Sequence, residues 1–158
     1  MALVADVLAK KGDRVYSITP TATVLEATQL MNRHKIGALV VTISTHSFES
    51  ASSAGECDRV VGIITERDVL TRLVVQQRDP AGTLIEEIMT ADVAYCRPET
   101  PLEEVSAVMR ARRIRHLPVC GEGGHLSGLI SIGDLNAWQA DGQEITIHYL
   151  HEYIHGRV

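Results

Sequence analysis

"GIITERD" at residues 62–68 and "GLISIGD" at residues 128–134 share one frame: a glycine, two aliphatic residues, a hydroxyl residue, two variable positions and an aspartate. In each, a short apolar run of strand character leads into a stretch with helical apolar spacing, so the frame reads as a strand turning into a helix. Thr65 and Ser131 then stand at helix N-caps, with Asp68 and Asp134 three residues on, the spacing of a capping box. One such motif is ordinary, since many helices that bind nothing start this way. Two at matching places ask whether the whole chain is a duplication.

It is. "TVLEATQLMNRHKIGALVV" (Thr23 to Val41) lies over "PLEEVSAVMRARRIRHLPV" (Pro101 to Val119) at a shift of 78, pairing Val24 with Leu102, Ala27 with Val105, Met31 with Met109 and Ile36 with Ile114. The two glycine-to-aspartate frames lie over each other at a shift of 66, so the first copy carries 12 extra residues. These fall in the serine-rich stretch 44–58, expected as a mobile surface loop. Each copy reads as strand, helix, strand, strand, helix. The expected strands are Val15–Ile18, Ala38–Ile43 and Val60–Ile64, then Val93–Cys96, Leu117–Cys120 and Leu126–Ile130; the expected helices are Val24–Lys35, Glu66–Gln77, Leu102–Arg112 and Ile132–Ala140. QQRDPAGT breaks the pattern between the copies, and LIEEIMT reads as a short connecting helix. A repeat of about sixty residues buries little surface alone, so the copies are expected to pack as one body.

Composition supports a globular chain. Of 158 residues, 45% are apolar and 22% charged, and the net charge of −5 argues against a broad basic nucleic-acid surface. Cys57, Cys96 and Cys120 are odd in number and show no C-x-x-C spacing, so neither a disulfide framework nor a cysteine zinc site is suggested. With no eighteen-residue apolar run and Asp6 inside the apolar N-terminal stretch, neither membrane spanning nor secretion is expected, and a reducing cytoplasm fits best.

The duplicated arrangement resembles the tandem cystathionine-β-synthase-type domain, the CBS pair, over nearly the whole chain, and in particular the small stand-alone proteins of that family. The twin frames are similar to the family's G-h-x-T/S-x-x-D element. The resemblance implies an α+β fold in which two β-α-β-β-α repeats join as one pseudo-twofold pair. Repeat one is expected over 8–77, repeat two over 85–141, and a C-terminal helical tail over 142–158. It also implies adenosine-containing effectors, AMP or related ATP, NAD or S-adenosylmethionine, bound between the repeats without catalysis, so that the protein senses or transmits their level. The motif chemistry suits such ligands. Free N–H groups at a helix start attract phosphate, and a carboxylate accepts hydrogen bonds from both ribose hydroxyls.

Carried over by the resemblance, one cleft would combine Val15, Tyr16, Gly37, Ala38 and Leu39 with Ser131, Gly133 and Asp134, with His116 placed to reach phosphate. Gly133 would admit close approach to the backbone. The pseudo-symmetric cleft would combine Thr90, Val93, Ala94, Arg115 and Pro118 with Thr65, Arg67 and Asp68. "RIRHLPV" places Arg115 and His116 where "KIGALVV" has Gly37 and Ala38, so the clefts are expected to differ. A solvated strand end is the plainer reading of that pair, but an otherwise apolar strand does not require one.

No catalytic constellation is read: Cys96 and Cys120 fall in expected strands as small hydrophobes, and Glu66 and Glu103 belong to helix starts. "HEYIH" (His151 to His155) matches H-E-x-x-H, the zinc-hydrolase pattern. A third ligand is missing, because His148 would stand about 10.5 Å from His155 along a helix, too far to share one metal. Ile147, Leu150 and Ile154 instead mark an apolar helical face. A metal-dependent hydrolase using His151, Glu152 and His155, and a purely structural dimerisation module, remain the alternatives. A homodimer is expected from the family and from the apolar faces of Glu66–Gln77 and Leu102–Arg112; the regulated protein partner is not legible.

Overall fold

The computed structural model describes residues 1–12, 14–45 and 57–142. A first helix, α1 (Val4–Lys11), precedes β1 (Ser17–Ile18), α2 (Val24–His34), β2 (Ala38–Thr45) and β3 (Cys57–Thr65). The helix after β3, α3, starts at Glu66–Asp68 and continues with wider π winding over Val69–Val74. A short α4 (Ile85–Ile88) leads to α5 (Leu102–Arg112), β4 (His116–Cys120), β5 (Leu126–Ser131) and α6, helical over 132–142. The α+β class and the repeated order are those the sequence implies. Most of the serine-rich stretch, 46–56, and the tail from 143, including HEYIH, lie outside the described residues.

Local chemistry sets the element ends. At the start of α2 the Thr23 amide donates to the Glu26 carboxylate at 2.7 Å and the Glu26 amide donates to Thr23 Oγ1 at 3.2 Å, a reciprocal cap. α2 and α5 both end on a left-handed residue, Lys35 (φ 52°) and Arg113 (φ 54°), which correspond at the repeat shift. Each is a long cation at the negative end of its helix, where charge favours it even though glycine would fit the backbone better.

In the first half β1 pairs parallel with β2, and β2 pairs antiparallel with β3. In the second half β4 pairs antiparallel with β5. Both hairpins carry a register shift at the same repeat position, after Val41 and after Val119. The strand expected at Val93–Cys96 does not form. It survives as one parallel bridge, Cys96 to Val119, the counterpart of Ile18 to Val41. Pro118 explains the loss: in the first half the Val40 amide donates to the Tyr16 carbonyl at 3.4 Å, and proline at the matching position has no N–H to give. Two other expectations were too long. β1 is paired only at Ser17 and Ile18, and α3 ends at Val74, with Gln77 already at φ 52°.

Each half closes its core with a helix that precedes the other half. Val4 and Val7 of α1 pack with Cys96, Leu102, Val105, Met109, Leu117, Val119, Ile130 and Leu135 of the second half. Ile85 and Ile88 of α4 pack with Val24, Ala27, Met31, Leu39, Val41, Ile64 and Leu73 of the first. The glycines that open the two motifs permit this exchange. A Cβ on Gly62 would stand 2.5 Å from Met89 Sδ and 3.1 Å from the Thr90 carbonyl oxygen, and one on Gly128 would stand 2.9 Å from both Leu8 methyl carbons. The exchange positions Lys11 and Thr90 against the two motif aspartates.

Candidate functional site

Both motif helices are capped as the spacing requires. At α6 the Ser131 amide and hydroxyl each donate to Asp134 Oδ2 at 2.8 Å, and the Asp134 amide returns to Ser131 Oγ at 3.2 Å. At α3 the Thr65 amide and hydroxyl donate to Asp68 Oδ2, both at 3.0 Å, and the Asp68 amide returns to Thr65 Oγ1 at 3.4 Å. Beyond the cap they differ. Asp134 Oδ2 also accepts from Lys11 Nζ at 2.7 Å, whereas Asp68 Oδ1 accepts from the Thr90 hydroxyl at 3.1 Å, with Arg72 Nε 3.9 Å away. Asp68 is buried; Asp134 is half-buried.

The first cleft is a cavity of about 310 Å³ that brings together Val15, Tyr16, Gly37, Ala38, His116 and Ser131, with Asp134 joined to its wall through Ser131 and Lys11. His116 faces Ser131 directly across the β4–β5 ladder. The Tyr16 ring is stacked on His34, 4.0 Å between centroids, which holds it as a fixed apolar wall. Leu39 does not line this cleft: it is fully buried in the core of the first half. Gly133 is exposed, and a Cβ there would meet only Ser131 Oγ at 3.5 Å, so no protein group makes that approach tight. Lys11, Arg14 and Lys35 line the cleft without having been anticipated.

The second cleft, about 280 Å³, gathers Thr65, Arg67, Asp68, Thr90, Val93, Ala94 and Arg115. Pro118 is absent from its wall, buried within β4, where its carbonyl accepts from the Cys96 amide at 3.0 Å. Arg72, Arg112 and Arg113 join Arg67 and Arg115, so five guanidinium groups face two carboxylates, Asp68 and Asp92. Arg67 Nη1 is tied to the Arg113 carbonyl at 3.2 Å, and Arg72 Nη1 to the Met89 carbonyl at 2.8 Å. Gly37 and His116 line both clefts, so the two cavities share a wall.

Burial alone would raise the Asp134 carboxyl, but the Lys11 and Ser131 hydrogen bonds outweigh it and hold it below its ordinary value. Burial lowers His116, and the Arg115 and Lys11 cations push the same way against Asp134 and Glu66, so the imidazole favours its neutral form. Burial, with Cys120 alongside, pushes the Cys96 thiol up to about 12, far from a nucleophile's range. Among the described residues no group of three metal-ligating side chains is assembled. Nor is any described helix long and apolar enough to cross a membrane.

The unanticipated cations had faint signals. Lys35 and Arg113 share a repeat position just before an aligned isoleucine, which marks them as paired. Lys11 could be found only by recognising that Val4 and Val7 repeat the spacing of Ile85 and Ile88.

Two pseudo-equivalent cavities, each headed by a capped helix start and set between exchanged halves, define a tandem-repeat module. The family model described as the CBS domain matches residues 4–75 and 85–141, and the chain belongs to that family. The mitochondrial CBS domain-containing protein CBSX3 of Arabidopsis thaliana is 33% identical over 97% of this chain and 72% of its own length. A solved CBS-domain protein of Burkholderia ambifaria is 39% identical, with 85% of this chain and 90% of that one matched at a TM-score of 0.71. The CBS domain pair of protein MJ0100, solved with 5'-methylthioadenosine and S-adenosyl-L-methionine, shares the fold at a TM-score of 0.74 over 90% of this chain and 98% of that one, at 22% identity.

Proposed function

We propose that this CBS pair is a regulatory module that binds adenine nucleotides in its two clefts and performs no chemistry of its own. The observation that carries the reading is the pair of aspartates, Asp68 and Asp134, each held by its own helix cap beside a cavity with cationic walls. A carboxylate beside free helix N–H groups matches a ribose carrying phosphate. That MJ0100 holds two adenosyl compounds in the same fold supports the class of ligand. AMP suits the first cleft, where His116 is the phosphate-side group. A longer phosphate, as in ATP or NAD, suits the arginines of the second.

Calorimetry with AMP and NAD on the wild type, Asp134→Ala and Asp68→Ala tests this. Each substitution is expected to remove a different binding event; wild-type stoichiometry and affinity in both variants would leave the aspartates as caps alone.

The working form is a homodimer. Leu70, Val74 and Val75 on and just after α3 are 59%, 56% and 70% exposed, an apolar surface that a twofold partner would cover. Sedimentation is expected to show a dimer that Val74→Glu converts to monomer; a wild type that stays monomeric at micromolar concentration, with and without AMP, would refute it.

A further inference from the structure

We infer that two copies of this chain join first repeat to first repeat, over the exposed face of α3 and the start of α2, while the corresponding face of the second repeat stays in water. This rests on the homodimer reading and adds which surfaces meet. The two faces match in position and differ in chemistry. At the repeat shifts of 78 and 66, Leu25, Leu70, Val74 and Val75 of the first half correspond to Glu103, Asn136, Ala140 and Asp141 of the second. All eight are exposed, so the folding of one chain accounts for neither set.

The winding of α3 builds the apolar face. Over its π-wound stretch, Val69–Val74, Leu73 is buried while Leu70 and Val74 stand outward. The chain leaving α3 then folds back: the Arg78 amide donates to the Leu73 carbonyl at 3.0 Å, and the Leu25 amide donates to the Pro80 carbonyl at 2.9 Å, which sets the start of α2 beside the end of this face. Thr71, Gln76 and Gln77, exposed between and after the apolar residues, are uncharged. The cations of α3 are engaged elsewhere, Arg72 Nη1 on the Ile88 and Met89 carbonyls at 3.1 and 2.8 Å and Arg67 Nη1 on the Arg113 carbonyl at 3.2 Å.

A twofold axis can set the first-repeat face against itself or against the second-repeat face of the other copy. The crossed arrangement presses Glu103, Asn136 and Asp141 onto leucine and valine, and charged and polar groups lose water there with nothing to pair with. Asp141 already has its partner, Lys10, on its own chain. The like-with-like arrangement brings Leu70, Val74 and Val75 against their own copies and buries no charge. It would also bring Glu103 and Asp141 towards their own copies if the second-repeat faces closed, and like charges hold those faces apart.

The test is cross-linking of the full chain with a short bis-maleimide, in a Cys57→Ser background in which Cys96 and Cys120 are buried. Val74→Cys alone is expected to give a covalent dimer, Ala140→Cys alone none, and the two co-expressed no product joining 74 to 140. In sedimentation Leu70→Glu should weaken the dimer more than about tenfold, as loss of a central apolar contact does, and the matching Asn136→Glu by less than about twofold, as for a solvated site. A 74-to-140 product with none from Val74→Cys alone would show the crossed arrangement and overturn the inference while the homodimer reading stands. A covalent dimer from Ala140→Cys alone would overturn the solvation of the second face. A dimer that Val74→Cys does not link and Leu70→Glu leaves intact would put the contact elsewhere and overturn the inference; a wild type that is only monomeric would end both readings.

Discussion

At the start of α6 the carboxylate of Asp134 holds a lysine; at the matching start of α3 the carboxylate of Asp68 holds a threonine hydroxyl, with a guanidinium 3.9 Å away. The two caps are nearly the same, donor for donor. Their difference comes from the segments the halves exchange. α1 ends in Lys10 and Lys11, which pair with Asp141 and Asp134, while α4 runs on to Thr90 and Asp92. A motif duplicated in sequence thus acquires two electrostatic settings from helices outside it. The wall opposite adds to the contrast, with five arginines around the second cleft against Lys11, Arg14 and Lys35 at the first.

The exchange itself can be broken most severely. Ile85 and Val4 are fully buried, each in the core of the half its helix does not begin. Ile85→Ala is expected to cost about 2–5 kcal/mol in chemical denaturation, the range for truncating a buried aliphatic side chain. Val4→Ala removes less volume and should cost less. Hydrogen exchange sharpens the test: Ile85→Ala should lower protection first in β2 and β3, and Val4→Ala first in β4 and β5. Loss spread equally over both hairpins in each variant would show that the halves do not hold separate cores.

Next in size is the charge contrast between the clefts. Arg115→Ala should weaken ATP or NAD at the Asp68 cleft by about 1.5–3 kcal/mol, the scale of a hydrogen bond to a charged group, while AMP at the Asp134 cleft changes little. Equal loss of AMP and ATP would mean that the clefts are not divided by phosphate length.

The motif glycines give a smaller, graded effect on stability. Gly62→Ala should destabilise by about 1–3 kcal/mol, as overpacking does, less the ~0.5–1 kcal/mol gained by replacing a strand glycine. Met89 Sδ can swing aside, but the Thr90 carbonyl oxygen is fixed by its 3.0 Å bond from the Ile63 amide. Gly128→Ala meets only the movable methyl groups of Leu8 and should cost less. A larger cost at Gly128 in thermal melts would contradict this ranking.

The smallest expected effect is with pH. His116 is lowered in the folded chain, so below its ordinary 6.5 the unfolded chain binds more protons and stability falls on acidification. The depressed Asp134 carboxyl gives a loss of the same sign, but only as pH falls below its ordinary 3.8. Within the first of these windows, as pH falls below 6.5, His116→Gln should flatten the stability profile. An unchanged slope in His116→Gln would place the pH dependence elsewhere.

Helix α5, read near Leu102–Arg112, was legible because its apolar spacing repeats that of an earlier helix. Both caps were equally legible, since Thr65 and Asp68, or Ser131 and Asp134, interact within one helical turn. The strand at Val93–Cys96 was not, because its pairing depended on Pro118 more than twenty residues away. Helix α1 has only two buried residues, Val4 and Val7, too few for a periodicity to stand out.

The sequence by itself determined the duplication, the order of elements and the two aspartates poised at helix starts, because each depends on spacing along the chain or on hydrogen bonds within one turn. Only the tertiary structure decided that α1 and α4 cross to opposite cores, that Leu39 and Pro118 turn inward, and that His116 and Gly37 serve both cavities. It alone seated Lys11 on an aspartate 123 residues away. Such contacts are set by which surfaces close a shared core, and charge then follows where packing has placed it.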